Sequence, residues 1–245
     1  MKVTHFGALT CRVVEPLGAQ PEAVVFLCHG YGAPGDDLVG LSAALAGVKP
    51  MAFVFPEAPL ALPGMFGARA WWNFDFDLVG EALRRRDPEL LASQAPSGLS
   101  ARREELLAAA VAAAESLGQN RGHGGPLPLV LGGFSQGAAL ALSASLERPA
   151  GLSGLLLFSG LLAGAHPSEL RVLSGLPILQ SHGKHDDILP WPVAEYMHAA
   201  LEASGASLDF ISFQGGHGIP PEALRAAATW LQNLPLQHVN QEGQL

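Results

Sequence analysis

The stretch Leu127–Leu146, LPLVLGGFSQGAALALSASL, decides the fold. Its opening, Leu127–Leu131, reads as a buried strand. Gly133-Phe134-Ser135-Gln136-Gly137 then fits the pattern G-x-S-x-G. The small and apolar run Gln136–Leu146 reads as a helix. A chain that turns from strand to helix over so few residues strains the backbone of the central Ser135 and lifts its hydroxyl above the sheet edge. The flanking glycines leave room for that turn to pack closely. A Gly/Ser-rich turn could carry the same letters by chance, and the strand before with the helix after argues against that.

Outward from this point the same rhythm repeats. Short apolar runs are predicted as strands at Ala23–Cys28, Met51–Phe55, Leu155–Phe158, Ile178–Ser181 and Leu208–Phe213. Near-continuous apolar runs such as VVFLC and AFVF suit parallel strands buried on both faces. Thr4–Val14 is less regular and predicts an edge strand or hairpin. Helices are predicted over Asp36–Leu45, Ala101–Leu117, Trp191–Ala203 and Pro221–Leu231; the second is rich in strong helix formers and stops at Gly118. Strands alternating with helices indicate βαβ units and a mostly parallel sheet with helices on both faces, the α/β class. Residues 59–100 break the rhythm and predict a functional surface loop or cap. The polar tail, 235–245, is expected to fray.

The chain has 245 residues, a length that fits one large α/β domain. Hydrophobic residues make up 49% and charged residues 15%, which excludes a disordered chain. With 14 Lys+Arg against 22 Asp+Glu the formal charge is −8, so nucleic acid is not an expected partner. Two cysteines, Cys11 and Cys28, exclude a disulfide scaffold. The uncharged stretches 122–146 and 149–168 are long, but Gly, Ser, Pro and Gln break them, so no integral membrane segment is expected. The N-terminal MKVTHFGALTCRVVE lacks a secretory-type apolar run, and a cytoplasmic location is expected.

A serine hydroxyl needs a base and a group to orient that base. In strand-turn-helix hydrolases the partners follow as Ser, then Asp or Glu, then His. Asp186 and Asp187 follow a predicted strand, at the sheet edge where ligands bind. His217 lies in a glycine-rich loop after the last strand. One aspartate is expected to hold His217 and the other to cap a helix or face water. His182 and His185 beside them resemble a metal pair, but one loop offers few convergent ligands, and no metal is expected. The backbone N–H of Gln136, and one from the loop His29-Gly30-Tyr31-Gly32, at Tyr31, are expected to form an oxyanion hole. Neither phosphate-cradling glycine pattern is present.

With these residues in view, the sequence resembles the carboxylesterase/phospholipase family of α/β-hydrolases, the group that includes bacterial carboxylesterases and acyl-protein thioesterases. The shared landmarks are the HG-x-G loop at His29, PEAP at Pro56–Pro59 and Arg69-Ala70-Trp71. GFSQG, Phe158-Ser159-Gly160, HG-x-x-D-x-x-x-P from His182 to Pro190, and Gly216-His217 complete them. The resemblance implies an α/β-hydrolase fold, Ser135 as nucleophile, His217 as base and Asp186, rather than Asp187, as orienting acid. It implies an acyl groove beside them, for which Met65, Phe66, Trp71, Trp72, Leu189 and Trp191 are candidates. Phe74–Ser100 exceeds the family's link and is expected to extend the pocket rim or narrow access.

The expected function is hydrolysis of small or short-to-medium acyl esters through an acyl-enzyme, without metal or organic cofactor. Activity is expected to rise with pH as His217 becomes neutral. Lysophospholipids and protein thioesters are the alternative substrates, and overall acidity disfavours attraction to anionic membranes. A silent hydrolase fold that only binds a ligand is the non-enzymatic alternative. The expected partner is a small-molecule ester; the sequence leaves a homodimer open.

Overall fold

The computed structural model describes residues 1–47, 49–85, 87–93, 95–119 and 125–238. Its centre is an eight-stranded sheet. The strands are β1 Lys2–Phe6, β2 Leu9–Val14, β3 Ala23–Cys28, β4 Met51–Pro56, β7 Leu129–Phe134, β8 Leu152–Phe158, β9 Pro177–Gly183 and β10 Ser207–Phe213; β5 Leu60–Ala61 and β6 Arg69–Ala70 form a separate small hairpin. The spatial order is β1-β2-β4-β3-β7-β8-β9-β10. β1 and β2 pair antiparallel, as do β2 and β4, and every pairing from β4 onward is parallel. Thr4–Val14 thus belongs to a hairpin at the edge.

The apolar runs explain the layers. Every residue of β3, β4 and β8 is buried. Along β3 the side chains alternate between two cores. Val24, Phe26 and Cys28 join one with α4 Leu99–Gly118, α5 Gln136–Ser145 and α6 Trp191–Ala203; Val25 and Leu27 join the other with α1 Leu41–Leu45 and α7 Pro221–Asn233. A strand read from both faces must be apolar throughout. By contrast β10, at the open edge, has a single buried residue, Phe213.

Residues 59–100 form the β5–β6 hairpin and two helices, α2 Phe76–Arg85 and α3 Pro88–Ser93, rather than an irregular loop. The expected helix Asp36–Leu45 is shorter than read: Leu41–Leu45 is helical, and a series of turns that includes Gly35 and Gly40 precedes it. Of the polar tail, Leu236 packs on the α7-side core and the Gln237 N–H donates to Ser153 Oγ at 2.9 Å, while 239–245 lie outside the described residues. No helix among the described residues is long and apolar enough to cross a membrane.

Strand order reverses around β3: the chain goes to β4 on one side and β7 on the other. The crevice outside the carboxyl ends of the strands at such a point is where ligands bind in open α/β sheets.

Candidate active site

Ser135 occupies the single residue between β7 and α5, with φ 55° and ψ −117°. Positive φ is strained for a residue with a Cβ. The site fixes that conformation: the Ser135 N–H donates to Phe158 O at 2.9 Å, and its carbonyl accepts from Ala139 N at 3.1 Å. Glycine is required beside it. A Cβ on Gly137 would press on the Cys28 carbonyl, and one on Gly133 would meet both that carbonyl and the Gly137 backbone.

The loops after the last two strands carry the expected acid and base. Phe213 and Gly183 are in register at the ends of β10 and β9. Beyond them the loops stay joined, with Lys184 N donating to Phe213 O and His185 N to Gly215 O, both at 2.9 Å. This brings together Asp186, three residues past β9, and His217, four past β10: His217 Nδ1 donates to Asp186 Oδ2 at 2.7 Å. Asp187 is exposed. Asp186 also closes its own turn, as Oδ1 accepts from Ile188 N at 2.9 Å and Leu189 N at 2.8 Å. Burial alone would push this carboxyl up. The His182 and His217 imidazoles and the Leu189 amide together outweigh burial and hold it well below its ordinary 3.8. The ring of His217 lies against Phe134, centroids 4.7 Å apart, one residue before Ser135. Its loop is held by Ser159, whose hydroxyl donates to Gly218 O at 3.1 Å. Ser159 is itself a positive-φ residue at 45°.

The expected oxyanion donors lie on braced segments. Gln136 is the first residue of α5, so its N–H has no carbonyl one turn earlier within the helix. The loop with Tyr31 is held by the buried His29 ring, which donates from Nδ1 to Gly30 O at 2.8 Å and accepts from Ala58 N at Nε2, 3.1 Å. These roles fix the neutral tautomer, and burial lowers the His29 pKa below its ordinary 6.5. The far end of the loop pairs with Arg69, through Gly32 N to Arg69 O at 2.8 Å and Arg69 N to Ala33 O at 3.1 Å. Glu57 ties Arg69 (2.9 Å) and Arg12 (3.1 Å) into one network.

The Gln136 side chain has a second role, which sequence reasoning missed. It is fully buried; Oε1 accepts from Trp71 N at 2.9 Å and Nε2 donates to Trp72 O at 2.9 Å. The residue after Ser135 therefore clamps Trp71 and Trp72, inside the segment 59–100. A buried Gln inside an apolar helix was the available signal, because such an amide must find partners.

The six acyl-groove candidates separate. Trp72 lines a cavity of about 220 Å³ together with Phe74, Leu78, Val79, Leu91 and Leu161. Trp71 is in the core, its indole N–H donating to His29 O at 2.9 Å. Leu189 is buried behind Asp186. Trp191 stacks on Phe210 with Lys184 Nζ 5.9 Å from its ring centre. Met65 and Phe66 are exposed at the tip of the β5–β6 hairpin. His182 and His185 diverge, one buried and one exposed, and no group of three His, Cys, Asp or Glu among the described residues is arranged to hold a metal.

A strained serine between a parallel strand and a helix, with acid and histidine at neighbouring strand ends, defines an α/β-hydrolase. Residues 9–234 match the phospholipase/carboxylesterase family. Acyl-protein thioesterase 1 of Eremothecium gossypii is 27% identical over 241 residues, covering 87% of this chain and 89% of its own. The crystal structure of esterase PE8 is 28% identical with a TM-score of 0.75, over 93% of this chain and 99% of that one. Acyl-protein thioesterase 2 of Zea mays is 26% identical with a TM-score of 0.61, over 91% and 97%. The chain belongs to the phospholipase/carboxylesterase family and is a serine ester hydrolase.

Proposed function

We propose that the chain hydrolyses small or short-to-medium acyl esters with Ser135, His217 and Asp186 acting as a triad. Ser135 Oγ attacks the acyl carbon while His217 Nε2 takes its proton. The tetrahedral intermediate collapses, the bond to the leaving alcohol breaks, and His217 returns the proton to that alcohol. Water, deprotonated by His217, then releases the acid and regenerates Ser135. Asp186 holds the tautomer that leaves Nε2 free to accept, and stabilises the imidazolium without being protonated. The amides of Gln136 and Tyr31 receive the developing oxyanion, each such donor being worth about 10²–10³ in rate. The chemistry calls for no metal or organic cofactor.

The observation that carries this reading is the 2.7 Å Nδ1–Oδ2 hydrogen bond between His217 and Asp186, in a site whose serine is held at φ 55°. The cavity lined by Trp72, Phe74, Leu78, Val79, Leu91 and Leu161 supports a place for an acyl chain. We read residues 59–100 as the rim of that cavity, within one α/β-hydrolase domain. The thioesterase relatives support a second substrate class, since a thioester forms the same acyl-enzyme and differs only in its leaving thiolate. The test is p-nitrophenyl ester hydrolysis across acyl lengths, with Ser135→Ala alongside. Turnover that peaks at short to medium chains and vanishes in the variant is expected. Turnover that rises steadily to palmitoyl overturns the substrate reading, and turnover that survives in Ser135→Ala overturns the mechanism.

A further inference from the structure

We infer that His182 is a positioning residue for Asp186, its Nε2–H edge 3.2 Å from Oδ2 and bonded to the turn that carries the carboxylate, so that it fixes the aim of Asp186 at His217. The inference rests on the triad reading above. His182 lies near the end of β9, four residues before Asp186, and its side chain is fully buried. Its Nε2 is 2.7 Å from Leu189 O and 3.2 Å from Asp186 Oδ2. Both neighbours are acceptors, so Nε2 carries the proton; it donates to Leu189 O and presents the same N–H edge to Asp186 Oδ2 as a longer polar contact. Nδ1 is then left as a bare lone pair, buried and without a partner among the described residues. A histidine kept for general polar packing would satisfy both ring nitrogens, because an unpaired buried polar atom is costly. What this position retains is a donor at Nε2, at the cost of an orphan at Nδ1.

The donors around Asp186 show what that proton does. A carboxylate has about four lone-pair sites. The Ile188 and Leu189 amides fill those of Oδ1, His217 donates to Oδ2, and the His182 N–H edge lies against the same oxygen. Leu189 closes a ring, giving its N–H to Asp186 and taking the His182 proton on its carbonyl. His182 therefore holds both the carboxylate and the turn that carries it. Trp191 packs at the edge of the imidazole, centroids 6.4 Å apart, and keeps the ring from swinging out. Without the His182 N–H edge, Oδ2 retains only His217, and the carboxylate can rotate about its Oδ1 bonds. Partners one shell removed from a reacting centre commonly contribute 10–100-fold, as they do behind metal ligands.

The experiment compares kcat and KM on a p-nitrophenyl ester for wild type, His182→Leu, His182→Gln, Asp186→Asn and the double variant His182→Leu/Asp186→Asn, each with a melting curve. Leucine removes the donor, whereas the glutamine amide nitrogen reaches the position of Nε2. The expected result is a kcat at least fivefold lower for His182→Leu with KM within about twofold, and recovery of most of the loss in His182→Gln. In the Asp186→Asn background the leucine change should lower kcat by less than about twofold, because its target is already lost. A smaller loss in the single variant, an equal loss in the Asp186→Asn background, or a glutamine variant no better than leucine overturns the inference. Should the leucine variant not fold, His182→Asn, too short to reach both acceptors, takes its place under the same criteria. An Asp186→Asn enzyme with wild-type kcat would overturn the triad reading itself. A crippled Asp186→Asn beside an intact His182→Leu removes only the role of His182.

Discussion

Replacing Gln136 by methionine keeps the side-chain volume and removes both hydrogen bonds of the clamp. Trp71 N–H and Trp72 C=O are then buried without partners. Each orphaned group costs about 1–3 kcal/mol, so the expected loss of stability is about 2–6 kcal/mol. That is a large share of the roughly 5–15 kcal/mol by which domains are stable, and for a chain of this size it lowers Tm on the order of 10 °C. Activity should fall as well. Trp71 continues from Arg69, whose backbone pairs with Gly32 and Ala33 of the oxyanion loop. The assay is urea unfolding at constant m-value, with ester hydrolysis on the same samples. Ser143→Ala is the internal contrast. Ser143 lies on the same buried helix, but its hydroxyl has no partner among the described residues. Removing it should be neutral or stabilising. A Gln136→Met loss below about 1 kcal/mol, or an equal loss in Ser143→Ala, would refute the reasoning that partnered and unpartnered buried groups differ in this way.

Asp186→Asn should lower kcat by several orders of magnitude while Asp187→Asn stays near wild type, a contrast read directly from initial rates. Because the folded pKa of Asp186 is depressed below 3.8, its ionised form stabilises the fold above that value, and the contribution is lost as pH falls below it. Wild type should therefore lose its stability advantage over Asp186→Asn between about pH 5 and pH 2, seen in paired melting curves; a constant gap would contradict the shift. Both cysteines are buried, with the Cys11 thiol pushed up to about 12 and Cys28 raised well above its ordinary 9.0. Neither should react with iodoacetamide in the native protein, and both should react in urea, which intact mass will report.

Much of the fold was legible because parallel strands buried on both faces must be apolar throughout. Ala23–Cys28 and Trp191–Ala203 have the bounds their sequence implies. Where the reading slipped, one residue type carried two meanings. Leu127–Leu131 became Leu129–Phe134 because Gly132 and Gly133 looked like the start of a turn. They belong to the strand, where Leu156 O and Cys28 O leave no space for a Cβ. Ser135, the pair Asp186 and Asp187, and His217 stand out by strand-end position and chain order, while the choice of Asp186 over Asp187 came from the family resemblance alone. The acyl-groove candidates could not be sorted the same way. Trp71 and Trp72 are adjacent and chemically alike, yet one hydrogen-bonds His29 in the core and the other lines the cavity. A run of aromatics reports size and polarity, not which space each ring enters. The side chains of Gln136, His29 and His182 were missed for a related reason: their partners are backbone groups of distant segments or of a turn whose shape the sequence does not display.

The central claim is that acyl transfer passes through Ser135. The most direct measurement is intact-mass and peptide-mapping analysis of the enzyme quenched during turnover of a p-nitrophenyl ester, for wild type and Ser135→Ala. An acyl adduct of the substrate's mass on Ser135, accompanied by a burst of one p-nitrophenol per enzyme and absent in the variant, is the result this account predicts. An adduct on another residue, or undiminished turnover by Ser135→Ala, would contradict it.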